Sequence, residues 1–157
     1  MDDSGRDVHV AALEHDGILN ATKFSKLAPH HLLTTTQSSK CNVFDVKNLN
    51  DSGPMISLSH PHRPFQHLTP IVANWHPVVP STFVIGRYPE QVSDRRTIDV
   101  YQMNGSNIRC VARLEDPRVS GIQCVCFLDS SQRLVNLIRL GRYYLHALDS
   151  QHSCGIL

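Results

Sequence analysis

The residues best suited to chemistry lie in one proline-rich stretch, His60-Pro61-His62-Arg63-Pro64-Phe65-Gln66-His67-Leu68-Thr69-Pro70. Imidazole, guanidinium, amide and aromatic groups stand together there, and the prolines restrict the backbone that carries them. A metal site is one interpretation, because His60, His62, His67 and His76 all offer ring nitrogens. Since no Asp, Glu or Cys stands among them at a recognised ligand spacing, the pattern argues against metal binding.

Two other interpretations of the same stretch are a histidine-triad hydrolase and an ordinary surface loop. The hydrolase motif needs a third alternating histidine after His60 and His62, and Pro64 occupies that position. In an ordinary loop Phe65 would simply lie on the protein surface, and the residues alone leave this alternative open.

The remaining interpretation is a wedge that inserts into nucleic acid. Phe65 offers an apolar face for stacking, and Gln66 and His67 offer hydrogen-bonding edges. Arg63 offers a phosphate contact. With a net charge of +1 and 18% charged residues, the chain is not polybasic, so any contact with DNA must come from a local patch.

Three segments that would position these residues repeat one pattern of short alternating apolar runs, which predicts strands rather than helices. An aromatic residue, Phe24, Trp75 or Phe127, ends the first run of each unit. The predicted strands are Ile18–Phe24, Leu32–Thr36 and Asn42–Val46, then Pro70–Trp75, Thr82–Gly86 and Thr97–Tyr101, then Gly121–Phe127, Leu134–Ile138 and Tyr143–His146.

This repeat is typical of a WD-repeat β-propeller, an all-β fold. Phe44-Asp45 replaces the Trp-Asp pair of such repeats, and His15 is expected to order its blade through a hydrogen bond. Asp45 and Asp99 are interpreted as carboxylates that order turns and blades. Because a propeller has about 4–8 blades, we expect an incomplete one with about three blades and two open edges.

We expect three regions: a flexible segment at 1–14, propeller blades at 15–148 and a tail at 149–157. The acidic, polar N-terminus is unlike a signal peptide, and no apolar run approaches the length of a membrane span. The five cysteines are odd in number and irregularly spaced, which argues against a disulfide framework. We therefore predict an intracellular protein with no membrane partner.

The motif HPHRPFQHLTPI, followed by WHP, GRYP and RTIDV, closely resembles the lesion-recognising small subunit of the UV-damaged-DNA-binding complex, a WD-repeat family. HDGILNATKFS and LLTTT resemble the preceding blade of that family, and the likeness weakens after Val100. The resemblance implies a seven-bladed parent propeller in the nucleus that starts nucleotide-excision repair. It also implies docking on the large adaptor subunit of a cullin–RING ubiquitin ligase, with no enzyme activity and no cofactor.

The resemblance further implies seven DNA-binding residues. The Phe-Gln-His triplet would enter the minor groove and fill the gap left by a flipped-out damaged dinucleotide. Two arginines would contact the DNA backbone, and the Arg-Tyr pair of GRYP would face the lesion. These residues are Arg63, Phe65, Gln66, His67, Arg87, Tyr88 and Arg96.

The chain also departs from the family. The N-terminal helical segment and the early blades of the family, with their main adaptor-docking surface, have no counterpart in this sequence. The alternative function is a WD-repeat scaffold that binds proteins and not DNA.

Overall fold

The computed structural model describes residues 11–48, 53–61, 70–87, 91 and 96–115, and the backbone of strands at 124–127, 134–140 and 142–148. All its regular elements are strands, arranged in three antiparallel sheets. The first sheet has the order β1-β2-β3-β4, the second β5-β6-β7-β8 and the third β11-β10-β9. The strands are β1 (Leu19–Phe24), β2 (His31–Thr36), β3 (Lys40–Asp45), β4 (Ile56–Ser59), β5 (Asn74–Trp75), β6 (Thr82–Gly86), β7 (Ile98–Asn104), β8 (Asn107–Leu114), β9 (Cys124–Phe127), β10 (Leu134–Leu140) and β11 (Arg142–Leu148).

The predicted class is confirmed, and the three repeat units correspond to the three sheets. Equivalent positions follow from the strand register. Phe24 pairs with Leu32 in the first sheet, and Trp75 pairs with Phe83 in the second. The aromatic residues chosen from the sequence as equivalent therefore occupy the same position in two blades.

The outermost strands of the first two sheets, β4 and β8, are absent from the sequence-based prediction. β4 is only four residues long, which gives alternation little room to be recognised. β8 alternates between exposed and partly exposed residues along its whole length, so it lacks the buried apolar run that marked the inner strands. Each of these two sheets is thus a four-stranded blade.

One hydrophobic core joins the first two sheets. Its members come from β2, β3 and β4 of the first sheet and from 71–75, β6 and β7 of the second. Ring contacts order its centre: Trp75 meets Phe83 edge-on at 5.8 Å between centroids, and Phe83 stacks on Tyr101 at 5.5 Å. The core is therefore formed between blades as well as within them.

Hydrogen bonds also cross from the second sheet to the first. The Trp75 indole Nε1 donates to the Lys23 carbonyl at 2.8 Å, and the Ala73 amide donates to Thr35 Oγ1 at 3.0 Å. Asn20 Nδ2 donates to the Ile71 carbonyl at 3.1 Å. The chain that leads into β5 is consequently fixed against the first blade.

Candidate nucleic-acid interface

One end of the second sheet brings together the two described passages that carry predicted site residues, those of Arg87 and Arg96. Because neighbouring strands are antiparallel, the end of β6, the start of β7 and the end of β8 meet there: Gly86 pairs with Ile98, and Ile98 with Leu114. Asn74, at the start of β5, pairs with Val84 and enters from the same end. The segment 62–69 precedes β5 in the chain.

Two of the seven predicted DNA-binding residues can be placed in this structure. Arg87 directly follows β6 and Arg96 stands two residues before β7, so the two arginines flank the same pair of strands. The Arg87 amide donates to the Thr97 carbonyl at 2.7 Å, which continues the ladder beyond β6. Arg63, Phe65, Gln66, His67 and Tyr88 lie outside the described residues.

A fully buried carboxylate, Asp99, lies close to this end of the sheet. Thr97 Oγ1 donates a hydrogen bond to Asp99 Oδ1, and the Tyr101 hydroxyl is 3.5 Å from Oδ2. His60 Nε2 is also 3.5 Å from Oδ2, and the buried His60 ring meets Tyr101 edge-on at 6.0 Å between centroids. His60 is thus held at a sheet, immediately before the stretch that contains the Phe-Gln-His triplet.

The surroundings of Asp99 favour its ionised form. Burial raises the pKa of this carboxyl, but hydrogen bonds from His60 and Thr97 and the positive charges of His60 and Arg87 outweigh burial. The net pKa of Asp99 is therefore lowered from its ordinary value. These contacts, which tie Asp99 to Thr97, Tyr101 and His60, agree with its interpretation as a carboxylate that orders the blade.

The first sheet contains an equivalent cluster without the charge. His15 meets Phe44 edge-on at 5.2 Å, as His60 meets Tyr101 in the second sheet. Asn42 stands two residues before Phe44, as Asp99 stands two residues before Tyr101. The side-chain oxygen of Asn42 accepts a hydrogen bond from Ser57 Oγ at 2.8 Å. The expected hydrogen bond of His15 is not made by Nδ1, which is buried and has no hydrogen-bond partner among the described residues.

Sequence reasoning missed two contributors to the second cluster. His60 was considered as a metal ligand or hydrolase residue, although it repeats the role of His15. Arg113 was not singled out, but it pairs with Asp99 across β7 and β8, and its Nε is 3.9 Å from Asp99 Oδ1. The Arg113 side chain remains 58% exposed. The pairing of an arginine on β8 with Asp99 becomes visible only when β8 is known to be a strand.

Two other predictions concern turns and metals. Asp45 orders the turn after β3, because its carboxylate accepts hydrogen bonds from the Lys47 amide at 3.0 Å and Asn48 Nδ2 at 2.8 Å. Among the described residues, no group of three or more His, Cys, Asp or Glu side chains is arranged to hold a metal ion. Nor does the described part of the chain contain a helix that could cross a membrane.

Comparison with known proteins gives close relatives of one kind. DNA damage-binding protein 2 of Danio rerio is 38% identical over 120 residues, and that of Bos taurus is 40% identical over 124 residues. Protein DAMAGED DNA-BINDING 2 of Arabidopsis thaliana is 30% identical over 113 residues. These alignments cover 74%, 75% and 70% of this chain but 23%, 28% and 20% of the relatives. The chain therefore spans about a quarter of the length of the first two relatives and a fifth of the third.

A solved structure supports the fold. The β-propeller domain of Myceliophteria thermophila Cps50 (Swd1) matches with a TM-score of 0.58 at 15% sequence identity, covering 85% of this chain and 39% of that one. No family model matches the chain. The resemblance inferred from the sequence motifs is confirmed by the similarity to DNA damage-binding protein 2, and the predicted β-propeller fold is confirmed by the structural match.

Proposed function

Since this chain is similar to a segment of DNA damage-binding protein 2, we propose that it binds damaged double-stranded DNA through the end of the second sheet that carries Arg87 and Arg96. The observation that supports this proposal is the convergence of the end of β6 and the start of β7, which carry Arg87 and Arg96 at one end of the sheet. Guanidinium groups suit phosphate oxygens because they present several donors in a fixed plane. A net charge of +1 is compatible with such a local site.

In the proposed mechanism, the damaged bases leave the helix and the Phe-Gln-His triplet takes their place. Extrusion costs a few kcal/mol and costs least where damage has already weakened stacking and pairing. The Phe65 ring offsets part of that cost by stacking on the neighbouring bases. Damage is then selected by how easily the duplex deforms, while Arg63, Arg87 and Arg96 hold the backbone and Tyr88 faces the lesion.

The same resemblance extends the proposal to the cellular setting. In this proposal the chain acts in the nucleus, in nucleotide-excision repair, and performs no catalytic step. Its protein partners would be the large adaptor subunit of the UV-damaged-DNA-binding complex and, through it, a cullin–RING ubiquitin ligase. Co-purification of the adaptor with the tagged chain tests this part independently of DNA.

Binding of the chain to two matched duplexes tests the proposal directly. One duplex contains a UV dimer or an abasic site and the other is intact, and fluorescence anisotropy at a stated salt concentration gives both Kd values. We expect tighter binding to the damaged duplex. Equal affinities would reject lesion recognition, and absence of binding to both would favour a WD-repeat scaffold that binds only proteins.

Two variants separate the roles of the wedge and the arginines. Phe65→Ala is expected to reduce the preference for damage about tenfold, because base–aromatic stacking contributes about 1–3 kcal/mol. Arg96→Ala is expected to weaken binding to both duplexes. It is also expected to reduce the dependence of log Kd on log salt concentration by about the amount of one phosphate contact. An unchanged preference in Phe65→Ala would contradict the wedge.

Matched controls exist for both variants. Phe24 is another exposed phenylalanine, on β1 of the first sheet, so Phe24→Ala removes a ring without touching the proposed interface. Arg109 lies toward the opposite end of the second sheet, where its guanidinium donates to Gln102 Oε1 at 3.1 Å. Arg109→Ala is therefore expected to leave the salt dependence unchanged.

A further inference from the structure

The carboxylate of Asp99 carries a charge that the blade does not require. The equivalent position of the first sheet holds Asn42, which is also buried and makes a neutral hydrogen bond with Ser57 Oγ at 2.8 Å. Strand pairing is the same in both sheets, since Asn42 pairs with Ser57 and Asp99 with Arg113. Burying a carboxylate costs more desolvation than burying an amide. The needs of the fold therefore do not account for the charge.

The groups around Asp99 are cationic or can become so, and they come from three separate passages of the chain. Arg113 Nε is 3.9 Å from one carboxylate oxygen, and His60 Nε2 is 3.5 Å from the other. The positive charge of Arg87 also acts on Asp99, and the buried Arg87 Nε has no hydrogen-bond partner among the described residues. A single anion thus lies between the end of β8 and the residue that opens the 60–70 stretch.

We propose that Asp99 is a positioning residue for damaged-DNA binding, an inference that rests on the function proposed above. Its carboxylate, 3.9 Å from Arg113 Nε, restricts the direction of the Arg113 guanidinium at the end of the second sheet where β6 leads into Arg87. Arg113, which is 58% exposed, becomes a further phosphate-contacting residue beside Arg87 and Arg96. An arginine held in this way favours the backbone geometry of a deformed duplex, because a preorganised group loses less freedom when that geometry is bound.

The test is Asp99→Asn in the full chain, which converts the second cluster to the chemistry of the first and keeps the shape of the side chain. We expect the ratio of intact to damaged Kd to fall about tenfold, a size usual for coupling within one hydrogen-bond network. The intact duplex is expected to bind as tightly as before or more tightly, because an anion near the phosphates is gone. A proportional loss of both affinities, or no change, would show that Asp99 has only a structural role.

Two further variants control for charge and folding. Asp45→Asn removes one carboxylate charge at the C-terminal end of β3 in the first sheet, where the carboxylate orders a turn. This variant is expected to leave the ratio of intact to damaged Kd unchanged. Arg113→Gln alters an exposed side chain and keeps Asp99, so folding is not at stake. It is expected to weaken both duplexes and to lower the ratio, and an unchanged ratio would remove Arg113 from the proposal.

A measurement without DNA separates this inference from the proposed function. In ¹⁵N-arginine NMR spectra, the Nε–H group of Arg113 is expected to exchange with water faster in Asp99→Asn than in the wild type or in Asp45→Asn, because the carboxylate near this group is then absent. Equal exchange would overturn the positioning role. Slow wild-type exchange together with equal Kd values for both duplexes would instead reject damaged-DNA binding and leave the positioning of Arg113 intact.

Discussion

The first and second sheets have the same strand arrangement. They differ in how far the aromatic residue of the first strand is buried and in the charge of the buried polar cluster. Phe24, on β1 of the first sheet, is 60% exposed, whereas the equivalent Trp75 of the second sheet is 9% exposed because the first sheet packs against it. The buried cluster of the first sheet is neutral at Asn42, and that of the second is anionic at Asp99. The first strand of the second sheet is therefore buried by the first sheet. The polar cluster within each sheet, by contrast, is neutral in one and anionic in the other.

The largest difference is expected between a ring in the buried core of the second sheet and the exposed ring on β1 of the first sheet. Phe83→Ala removes a fully buried ring between Trp75 and Tyr101 and is expected to lower the free energy of unfolding by about 3–5 kcal/mol. Phe24→Ala removes an exposed ring and is expected to change it by less than about 0.5 kcal/mol. Urea denaturation followed by circular dichroism measures both. Similar losses in the two variants would mean that Phe24 is covered in solution.

A smaller effect is expected where the second sheet rests on the first. Trp75→Phe gives the second sheet the residue type that the first already has, and it leaves the Lys23 carbonyl without its donor. We expect a loss of about 1 kcal/mol, since a hydrogen bond contributes about 0.5–1.5 kcal/mol and the Lys23 carbonyl is only partly shielded from water. The same denaturation experiment measures it, and a loss near zero would show that the indole hydrogen bond is replaced by water.

The smallest effect is expected from acidification through the histidine range. Burial lowers the pKa values of His15, His31 and His76, so the unfolded chain binds these protons more readily than the folded one. Their stabilising contribution is present above the ordinary histidine pKa of about 6.5 and is lost as the pH falls through and below that value.

The same titration compares the two blades. His15 and His31 belong to the first repeat, so the protection factors from hydrogen–deuterium exchange, corrected for the intrinsic rate at each pH, are expected to fall more in β1 and β2 than in β6 and β7 when the pH falls. Replacing both histidines with glutamine is expected to remove the difference. A larger fall in β6 and β7 instead would assign the acid sensitivity to His76 or to the Asp99 cluster.

The sequence predicted β1, β2, β3 and β6 closely because their alternation reflects burial, which acts locally along the chain. Thr82–Gly86 has the predicted bounds, and the Phe24 and Trp75 equivalence holds in the strand register. The predicted strand Pro70–Trp75 is wrong in length, since β5 is only Asn74–Trp75 and the Ile71 carbonyl and Ala73 amide bond to the first blade instead.

The outer strands β4 and β8 were missed because β4 is short and the inner face of β8 is only partly buried, with the other face of the strand exposed. Register across β7 and β8 could not be inferred without β8, and the pairing of Arg113 with Asp99 was missed with it.

For the candidate site, the motif resemblance gave Arg87 and Arg96, and the topology places both at one sheet end. His60 was grouped with the histidines of the proline-rich stretch because they are neighbours in sequence. Its actual partners, Asp99 and Tyr101, are about forty residues away in sequence and become neighbours only through sheet packing. Contacts of this kind depend on how blades stack, and a single sequence does not encode that in any local pattern.

The indole hydrogen bond described above also gives the molecule an optical signal. Trp75 is the single tryptophan of the chain, and its ring is buried at the junction with its Nε1 on the Lys23 carbonyl. Emission from an indole moves to longer wavelength when water reaches it. The intrinsic fluorescence therefore reports separation of the two blades specifically, and a red shift that precedes the loss of β-sheet signal would reveal undocking as a distinct first step of unfolding.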